Sequence, residues 1–199
     1  YPYEGAIRID GRDLQRMKPN ERAKIIGYLG HDPELFNDSV RNNILLGDDD
    51  DAEKYLKAVC FDGEVAEMEE GMDTIVGNGG VRLSGGQAQR LALARTLCHK
   101  RPVLILDDPF SALDRKTEEE VFANLRKFTA DSIVILLSHR LYLFPEMDQV
   151  LWMEAGKVTA GTHEQILEKF PEYARLYEAQ ADGADAHNTQ EGGPDHAEK

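Results

Sequence analysis

The chain has 199 residues, of which 41% are hydrophobic, and its formal net charge is -14 at pH 7. This length suits one sizeable α/β core or two small ones, and the acidic balance argues against a nucleic-acid-binding surface, because no basic excess is present to release counterions. No apolar run approaches the roughly 18 residues that span a bilayer, so we expect any membrane role to go through a partner.

The first part of the chain carries two strand patterns. Residues 6–11 predict a strand and a turn, and residues 23–30 predict a second strand that delivers His31 to its end. The segment that follows carries the apolar residues Leu35, Phe36, Val40 and Ile44. We expect these side chains to form the core of a small helical subdomain, with an exposed docking patch as the alternative.

An acidic run at residues 48–51 precedes a helical pattern at residues 52–59, where negative charge favours a helix N-terminus. A glycine-rich loop follows at residues 73–82 and leads into a second helix start. There, Ser84 with Gln87 three residues later predicts a capping box, followed by a helix that ends at Cys98.

Gly85 and Gly86 stand between the two capping residues. A capping box requires no glycine, whereas a first helical turn without Cβ atoms lets a phosphate approach free backbone N–H groups at the positive end of the helix. The glycine pair therefore favours a phosphate contact over a purely structural cap.

The central feature is a short apolar run at residues 103–106 without polar alternation, which is typical of a strand buried on both faces of a parallel sheet. Asp107 and Asp108 follow it directly. Ligands bind at the carboxyl ends of strands in open α/β sheets, so this pair is a candidate site. A turn is the alternative, because Asp-Asp-Pro also ends a strand well.

A helix is predicted over residues 117–128, and a third buried strand over residues 132–137 leads to His139. A lone histidine is more often structural than catalytic. His139, however, shares its position after a strand with the two aspartates, which favours a functional role.

The last part of the chain predicts an antiparallel hairpin over residues 149–162 and a second capping box between Thr162 and Gln165. From residue 181 the chain is polar and lacks an apolar period, so residues 181–199 predict a disordered acidic tail. Cys60 and Cys98 have no metal-binding spacing, which fits reduced thiols.

Together these segments resemble the nucleotide-binding domain of ATP-binding cassette (ABC) transporters, exporter type, over about residues 1–180. Leu83 to Gln87 match the family signature, Val103–Asp107 are similar to its Walker B strand, Ser111 to Asp114 are similar to its D-loop, and His139 is similar to its switch histidine. The resemblance implies an α/β fold, a P-loop NTPase-like, mostly parallel sheet flanked by helices. Residues 32–100 would form an inserted helical subdomain with the signature region, and the N-terminal strands and P-loop would be missing.

The resemblance implies roles for residues that surround ATP and Mg2+. Asp107 would hold Mg2+ through water, and Asp108 takes the position of the catalytic base that polarises the attacking water. His139 would contact the γ-phosphate. His31 stands where the family has its Q-loop glutamine, which senses Mg2+ and couples to the membrane domain.

The resemblance also implies a head-to-tail dimer of two nucleotide-binding domains. Ser84, Gly85, Gly86 and Gln87 would clamp the γ-phosphate of ATP bound to the opposite subunit, and Asp114 would link the two sites. The implied partners are the transmembrane domain of an ABC exporter and a second nucleotide-binding domain, with a heterodimer favoured over a homodimer. The implied location is the cytoplasmic face of the cell membrane.

Three features depart from the family pattern. The chain contains no Gly-x-x-x-x-Gly-Lys-Ser/Thr loop, the usual cradle of the β- and γ-phosphates, so we expect an N-terminally truncated sequence that by itself binds Mg-ATP poorly. Asp108 replaces the usual Glu and is shorter by one C–C bond of ~1.5 Å, and a misplacement of about 1 Å can cost on the order of 10²-fold in rate. His31 replaces the Q-loop glutamine, and Asn78 likewise stands where exporters often carry Glu.

The main hypothesis is an ATP-binding and ATP-hydrolysing domain that powers export by an ABC transporter. The alternative is a catalytically weak partner module whose main role is to donate its signature to a competent ATPase half. Soluble DNA-repair ATPases of the cassette type are a third class, but the short interval between His31 and Ser84 leaves no room for their long coiled coil.

Overall fold

The computed structural model describes residues 4–188, with the surroundings of the side chains given for residues 4–180. The chain forms two compact units, of which the first ends at Leu137 and the second begins at Ser138. Within the described residues, no helix is both long and apolar enough to cross a membrane.

The strands are β1 (Arg8–Ile9), β2 (Arg12–Asp13), β3 (Ile26–Leu29), β4 (Asp38–Ser39), β5 (Ile75–Val76), β6 (Val103–Asp107), β7 (Ile133–Leu137), β8 (Val150–Glu154) and β9 (Lys157–Gly161). The α-helices are α1 (Pro19–Ile25), α2 (Val40–Leu45), α3 (Ala52–Ala58), α4 (Asp62–Ala66), α5 (Gly85–Cys98), α6 (Arg115–Phe128), α7 (His163–Lys169) and α8 (Pro171–Asn188). Short 3₁₀ helices cover Leu14–Arg16, Gly71–Asp73 and Leu141–Glu146.

A parallel three-stranded sheet in the order β3-β6-β7 organises the first unit. The central strand β6 pairs Val103 with Ile26 on one side and with Ile133 on the other. Leu104 and Leu106 are fully buried, because the strand has neighbours on both edges and packed side chains on its faces. The predicted buried strand before the aspartate pair is therefore confirmed.

The prediction that residues 132–137 form a buried strand is only half right. The strand is present as β7, but Ile133, Ile135 and Leu137 are exposed by 65%, 42% and 47%. β7 lies at the edge of the three-stranded sheet. An apolar run thus identified the strand but not its burial.

The predicted strand over residues 23–30 begins later than expected, because α1 continues through Ile25 and β3 starts at Ile26. Pro19 occupies the first turn of α1, and the Glu21 carboxylate accepts a hydrogen bond from the Lys18 amide at 2.9 Å. Proline and a reciprocal carboxylate both favour a helix start, so local capping outweighs the β-branched residues.

Upstream, β1 and β2 form a hairpin that turns at Asp10 and Gly11, both with positive φ.

The helical part of the first unit packs around α5. Leu91, Ala94 and Leu97 of this helix are buried. Arg95, also on α5, donates from Nε to the Asn43 carbonyl oxygen at 2.7 Å and from Nη2 to Asn43 Oδ1 at 2.6 Å. These bonds tie α5 to α2.

Two of the four apolar residues that follow β3 confirm the core prediction, since Val40 and Ile44 are fully buried. Phe36 is 57% exposed, and the Arg95 guanidinium lies 4.9 Å from its ring centroid.

The acidic run before α3 supplies the cap of this helix, because Asp51 accepts a hydrogen bond from the Glu53 amide at 3.0 Å.

The second unit confirms the predicted hairpin and capping box. β8 and β9 are antiparallel with Val150 opposite Gly161, and Thr162 and Gln165 form reciprocal hydrogen bonds at the start of α7. The core of this unit contains Leu141, Val150, Ile166 and Tyr173.

The last helix, α8, extends to Asn188, so the first eight residues of the predicted tail have helical backbone. Residues 189–199 lie outside the described part of the chain. The division into a domain over residues 1–180 and a tail stays a prediction.

Candidate functional site

The polar site begins at the shared carboxyl edge of β3 and β6. The two strands run parallel, with Leu29 opposite Leu106. His31, which follows β3, and the pair Asp107 and Asp108 therefore meet at one edge of the sheet, where parallel sheets bind ligands.

Asp107 is the last residue of β6, and its side chain is half-buried. Tyr28 on β3 donates its hydroxyl to Asp107 Oδ2 at 3.3 Å, a long hydrogen bond. Tyr28 remains 64% exposed. Tyr28 was not among the predicted site residues, although a tyrosine in an apolar strand next to the aspartates offers a polar tip that usually finds a partner.

Asp108 has its backbone in the left-handed region, with φ of 47°. Its amide donates to the Leu137 carbonyl oxygen at 2.8 Å, and its carbonyl oxygen accepts from Gln89 Nε2 at 3.3 Å and from the Ser111 amide at 3.2 Å. Non-glycine residues rarely adopt this region, and Asp is among the types that tolerate it. The surrounding strand, helix and turn thus hold Asp108 in a strained conformation of the kind that clusters at functional sites.

The Asp108 side chain is 16% exposed, and its two oxygens have different surroundings. Oδ1 is buried and has no hydrogen-bond partner among the described residues. Oδ2 lies 3.9 Å from Nδ1 of His31, whose side chain is 55% exposed. A buried carboxylate oxygen without a partner is costly, so Asp108 stays a candidate for a functional role.

The start of α5 has the predicted capping box. Ser84 Oγ accepts from the Gln87 amide at 3.2 Å, and Gln87 Oε1 accepts from the Ser84 amide at 2.9 Å. Gln87 also donates from Nε2 to Glu64 Oε2 at 2.7 Å. Both polar groups of Gln87 are therefore used within the chain, so this side chain fixes the helix start.

Glu64 on α4, which the sequence analysis missed, joins the signature to its surroundings. Arg90 Nη2 lies 2.6 Å from Glu64 Oε1, and Arg90 Nη1 donates to the Cys60 carbonyl oxygen at 2.7 Å. Burial raises the pKa of Glu64, but the hydrogen bonds from Gln87 and Arg90 outweigh this effect and hold the pKa below its ordinary value. Glu64 is thus an anion that anchors the first turns of α5.

The two glycines at this helix start differ. A Cβ atom added at Gly86 would lie 2.8 Å from the Ala112 carbonyl oxygen, whereas one added at Gly85 would meet nothing within 4 Å. Gly86 is therefore required for close packing against the turn after β6, a reason that the sequence analysis did not find. Only Gly85 leaves open space for a ligand.

Asp114 caps α6. Its Oδ1 accepts from the Thr117 amide at 3.0 Å, and hydrogen bonds from Thr117 lower the pKa of Asp114.

His139 belongs to the second unit, where its side chain is exposed and its carbonyl oxygen accepts from Gln180 Nε2 at 2.6 Å. The first unit therefore brings His31 together with Asp107 and Asp108, and it packs the signature against Ala112.

Comparison with known proteins decides the family. Residues 1–111 match the family model described as ABC transporter. The chain belongs to the ABC transporter family.

Individual ABC proteins are similar over most of this chain. P-glycoprotein 14 of Caenorhabditis elegans is 35% identical over 195 residues, which are 96% of this chain and 15% of the relative. The ATP-dependent lipid A-core flippase of Burkholderia thailandensis is 37% identical over 183 residues, which are 90% of this chain and 31% of the flippase.

A solved structure, that of a bacterial Atm1-family ABC exporter with ATP bound, matches with a TM-score of 0.82 at 34% identity. The match covers 91% of this chain and 33% of that one. It confirms the predicted α/β fold of an ABC exporter nucleotide-binding domain. The chain spans a third or less of the length of each of these ABC proteins.

The carboxylate at the end of β6 has oxygen donors of the kind that Mg2+ prefers. Mg2+ keeps several waters and is bound through one or two carboxylates plus substrate phosphates. Within residues 4–188, no group of three or more His, Cys, Asp or Glu side chains could hold a metal ion. A single carboxylate, that of Asp107, suits an ion held through water and nucleotide rather than in a protein cage.

Proposed function

We propose that this chain binds and hydrolyses ATP as part of an ABC exporter and thereby powers transport. The observation that carries the proposal is the Asp107 and Asp108 pair at the end of β6, in the same compact unit as the capped signature helix α5. An ATP-dependent flippase and an exporter with ATP bound among the similar proteins support it.

The residues at the strand ends take the chemical roles. Asp107 would hold Mg2+, with Tyr28 orienting one carboxylate oxygen by its hydrogen bond. Asp108 stands at the position of the base, His31 lies beside it at the neighbouring strand end, and His139 would contact the γ-phosphate. When bound, Mg2+ would supply positive charge to the phosphates during in-line transfer to water, in which positioning and electrostatics do most of the work.

The signature serves a nucleotide on a second subunit. The first residues of a helix have amides without intrahelical partners, and α5 presents those of Gly85 and Gly86 at its positive end. Ser84 and Gly85 are exposed, so a phosphate reaches this helix start without rearrangement of the core. Asp114 links the two sites of a head-to-tail dimer.

The proposed partners are the transmembrane domain of an exporter and a second nucleotide-binding domain, in a heterodimer. The proposed location is the cytoplasmic face of the cell membrane. The similarity to membrane exporters supports a transmembrane partner and a location at the membrane.

A second candidate is a catalytically weak module that chiefly donates its signature to a competent partner half. The surroundings of Asp108 favour it, because this short carboxylate is 16% exposed and one of its oxygens is buried without a described partner. In contrast, the signature end of α5 is accessible.

ATP hydrolysis by the purified full-length protein, alone and with its partner half, separates the candidates. The main proposal expects Mg-ATP-dependent turnover that falls when Asp107→Asn is introduced. If the chain is a weak module, it should turn over little ATP alone. Ser84→Arg in this chain should then lower ATP turnover by the partner half. Vigorous turnover by a homodimer would refute the second candidate, and absence of ATP binding in both preparations would refute the first.

A further inference from the structure

The two positions at which this chain departs from its family near the aspartate pair contact each other. His31 follows β3 and Asp108 follows β6, and their parallel strands bring Nδ1 and Oδ2 to 3.9 Å. This distance is too long for a hydrogen bond and too short for a bridging water. Catalytic hydrogen bonds are often long in ligand-free structures and shorten when substrate binds.

Asp108 is badly placed to take a proton from a water molecule itself. Oδ1 is buried, and hydrogen bonds with Leu137, Gln89 and Ser111 hold the backbone of Asp108 in place. Oδ2 remains, and the ionisable group beside it is His31.

His31 has the opposite properties. Its side chain is 55% exposed, and Nδ1 is the ring nitrogen nearest to Asp108. Nε2 lies on the other side of the imidazole and has no hydrogen bond among the described residues. A carboxylate that accepts from Nδ1–H fixes the tautomer in which Nε2 is free to accept a proton, as in a His–Asp pair of a hydrolase.

We propose that His31 is the proton acceptor for the attacking water and that Asp108 is the residue that positions it. This inference rests on the proposed ATPase function. The water oxygen forms a bond to the γ-phosphorus, the bond from that phosphorus to the β–γ bridging oxygen breaks, and ADP leaves with the electron pair. The water proton passes to His31 Nε2, and the resulting imidazolium, paired with Asp108, returns it to solvent. The imidazole of His31, beside the short carboxylate of Asp108, therefore takes the proton that a longer carboxylate would take at this position.

Substitutions of His31 in the full-length protein with its partner half test this role. His31→Ala should lower ATP turnover at this site by about 10²-fold, the lower range for a general base. Imidazole added to the medium should restore part of the lost turnover, because the position is exposed. The same imidazole should leave the wild type and a His196→Ala control unchanged.

The pairing of the two residues is tested by a double substitution. If Asp108 acts through His31, Asp108→Asn should lower ATP turnover in the wild-type background but change it by less than roughly 3-fold in the His31→Ala background. The reason is that the effects of residues that act as a unit do not add. His31→Asn retains a nitrogen near the position of Nδ1 but no base at Nε2, so it should fold normally, bind Mg-ATP like the wild type and turn over as slowly as His31→Ala.

Four outcomes decide the matter. Independent, multiplying losses for the two substitutions, or no rescue of His31→Ala by imidazole, would overturn the proposal and leave Asp108 as the base. If the wild type binds and hydrolyses ATP while His31→Asn does so equally fast, His31 has no chemical role. If the wild type neither binds nor hydrolyses Mg-ATP with its partner, the proposed function itself is wrong.

Discussion

Gly85 and Gly86 make a matched pair of perturbations, because they are neighbours in one helix turn and differ in what an added methyl group meets. At Gly86 the new Cβ would lie 2.8 Å from the backbone carbonyl oxygen of Ala112, which cannot move without shifting the turn after β6. At Gly85 the space is open. The same chemical change is therefore expected to have opposite effects on stability.

The magnitudes follow from two opposing effects. Replacing a helical Gly by Ala stabilises by about 0.5–1 kcal/mol, and overpacking costs about 1–3 kcal/mol. Gly86→Ala should thus destabilise the protein by roughly 1–2 kcal/mol, whereas Gly85→Ala should leave stability unchanged or raise it by up to about 1 kcal/mol. For a protein of this size, each kcal/mol shifts Tm by about 2–4 °C.

Urea denaturation followed by circular dichroism measures both changes, and ATP turnover by the full-length protein with its partner half adds the functional comparison. Gly85→Ala should retain stability and yet lose turnover on the order of 10-fold or more, because its methyl group occupies the approach of the phosphate. A Gly86→Ala protein as stable as the wild type would refute the packing against Ala112. Full turnover of Gly85→Ala would refute the phosphate contact at this helix start.

Three further predictions concern local interactions and binding. Glu64→Gln removes the anion that pairs with Arg90, and because Glu64 is partly exposed we expect a loss of about 0.5–1 kcal/mol. The folded-state pKa of Glu64 is lowered, so this stabilisation is complete above the ordinary Glu pKa of about 4.3 and is lost as pH falls through the folded value. Denaturation of both proteins between neutral and acidic pH should show the difference shrink, and a constant difference would exclude the ion pair. Asp114→Ala removes the cap of α6 and should cost about 0.5–2 kcal/mol, whereas Asp114→Asn, which keeps an acceptor for the Thr117 amide, should cost less; equal losses would contradict the capping role. The 199-residue chain alone contains no phosphate-binding loop, so calorimetric titration should find weak Mg-ATP binding, and micromolar affinity would refute this expectation.

Features that depend on neighbours along the chain were predicted well. The capping boxes at Ser84 and Thr162 join residues three positions apart, so the sequence contains both partners of each hydrogen bond. The buried strand before Asp107 was also predicted, because an uninterrupted apolar run of that length suits a central parallel strand.

Features that depend on packing were predicted poorly. β7 is apolar like most of β6, yet Ile133, Ile135 and Leu137 are exposed. Composition identifies an apolar strand but does not tell what packs against it. The start of β3 was misplaced for a different reason. The helix α1 continues through Ile25, because its capped start outweighs the β-branched residues at its end.

For the site itself, the sequence alone determined the residue types, their order and their position at strand ends, since local pattern and strand polarity decide which residues reach the ligand-binding edge. Tertiary structure alone decided the rest. It buried one oxygen of Asp108 and turned the other toward His31, and it pressed Gly86 against Ala112. These contacts join segments that are distant in the chain, so they depend on the register and packing of separate elements, which no local pattern specifies.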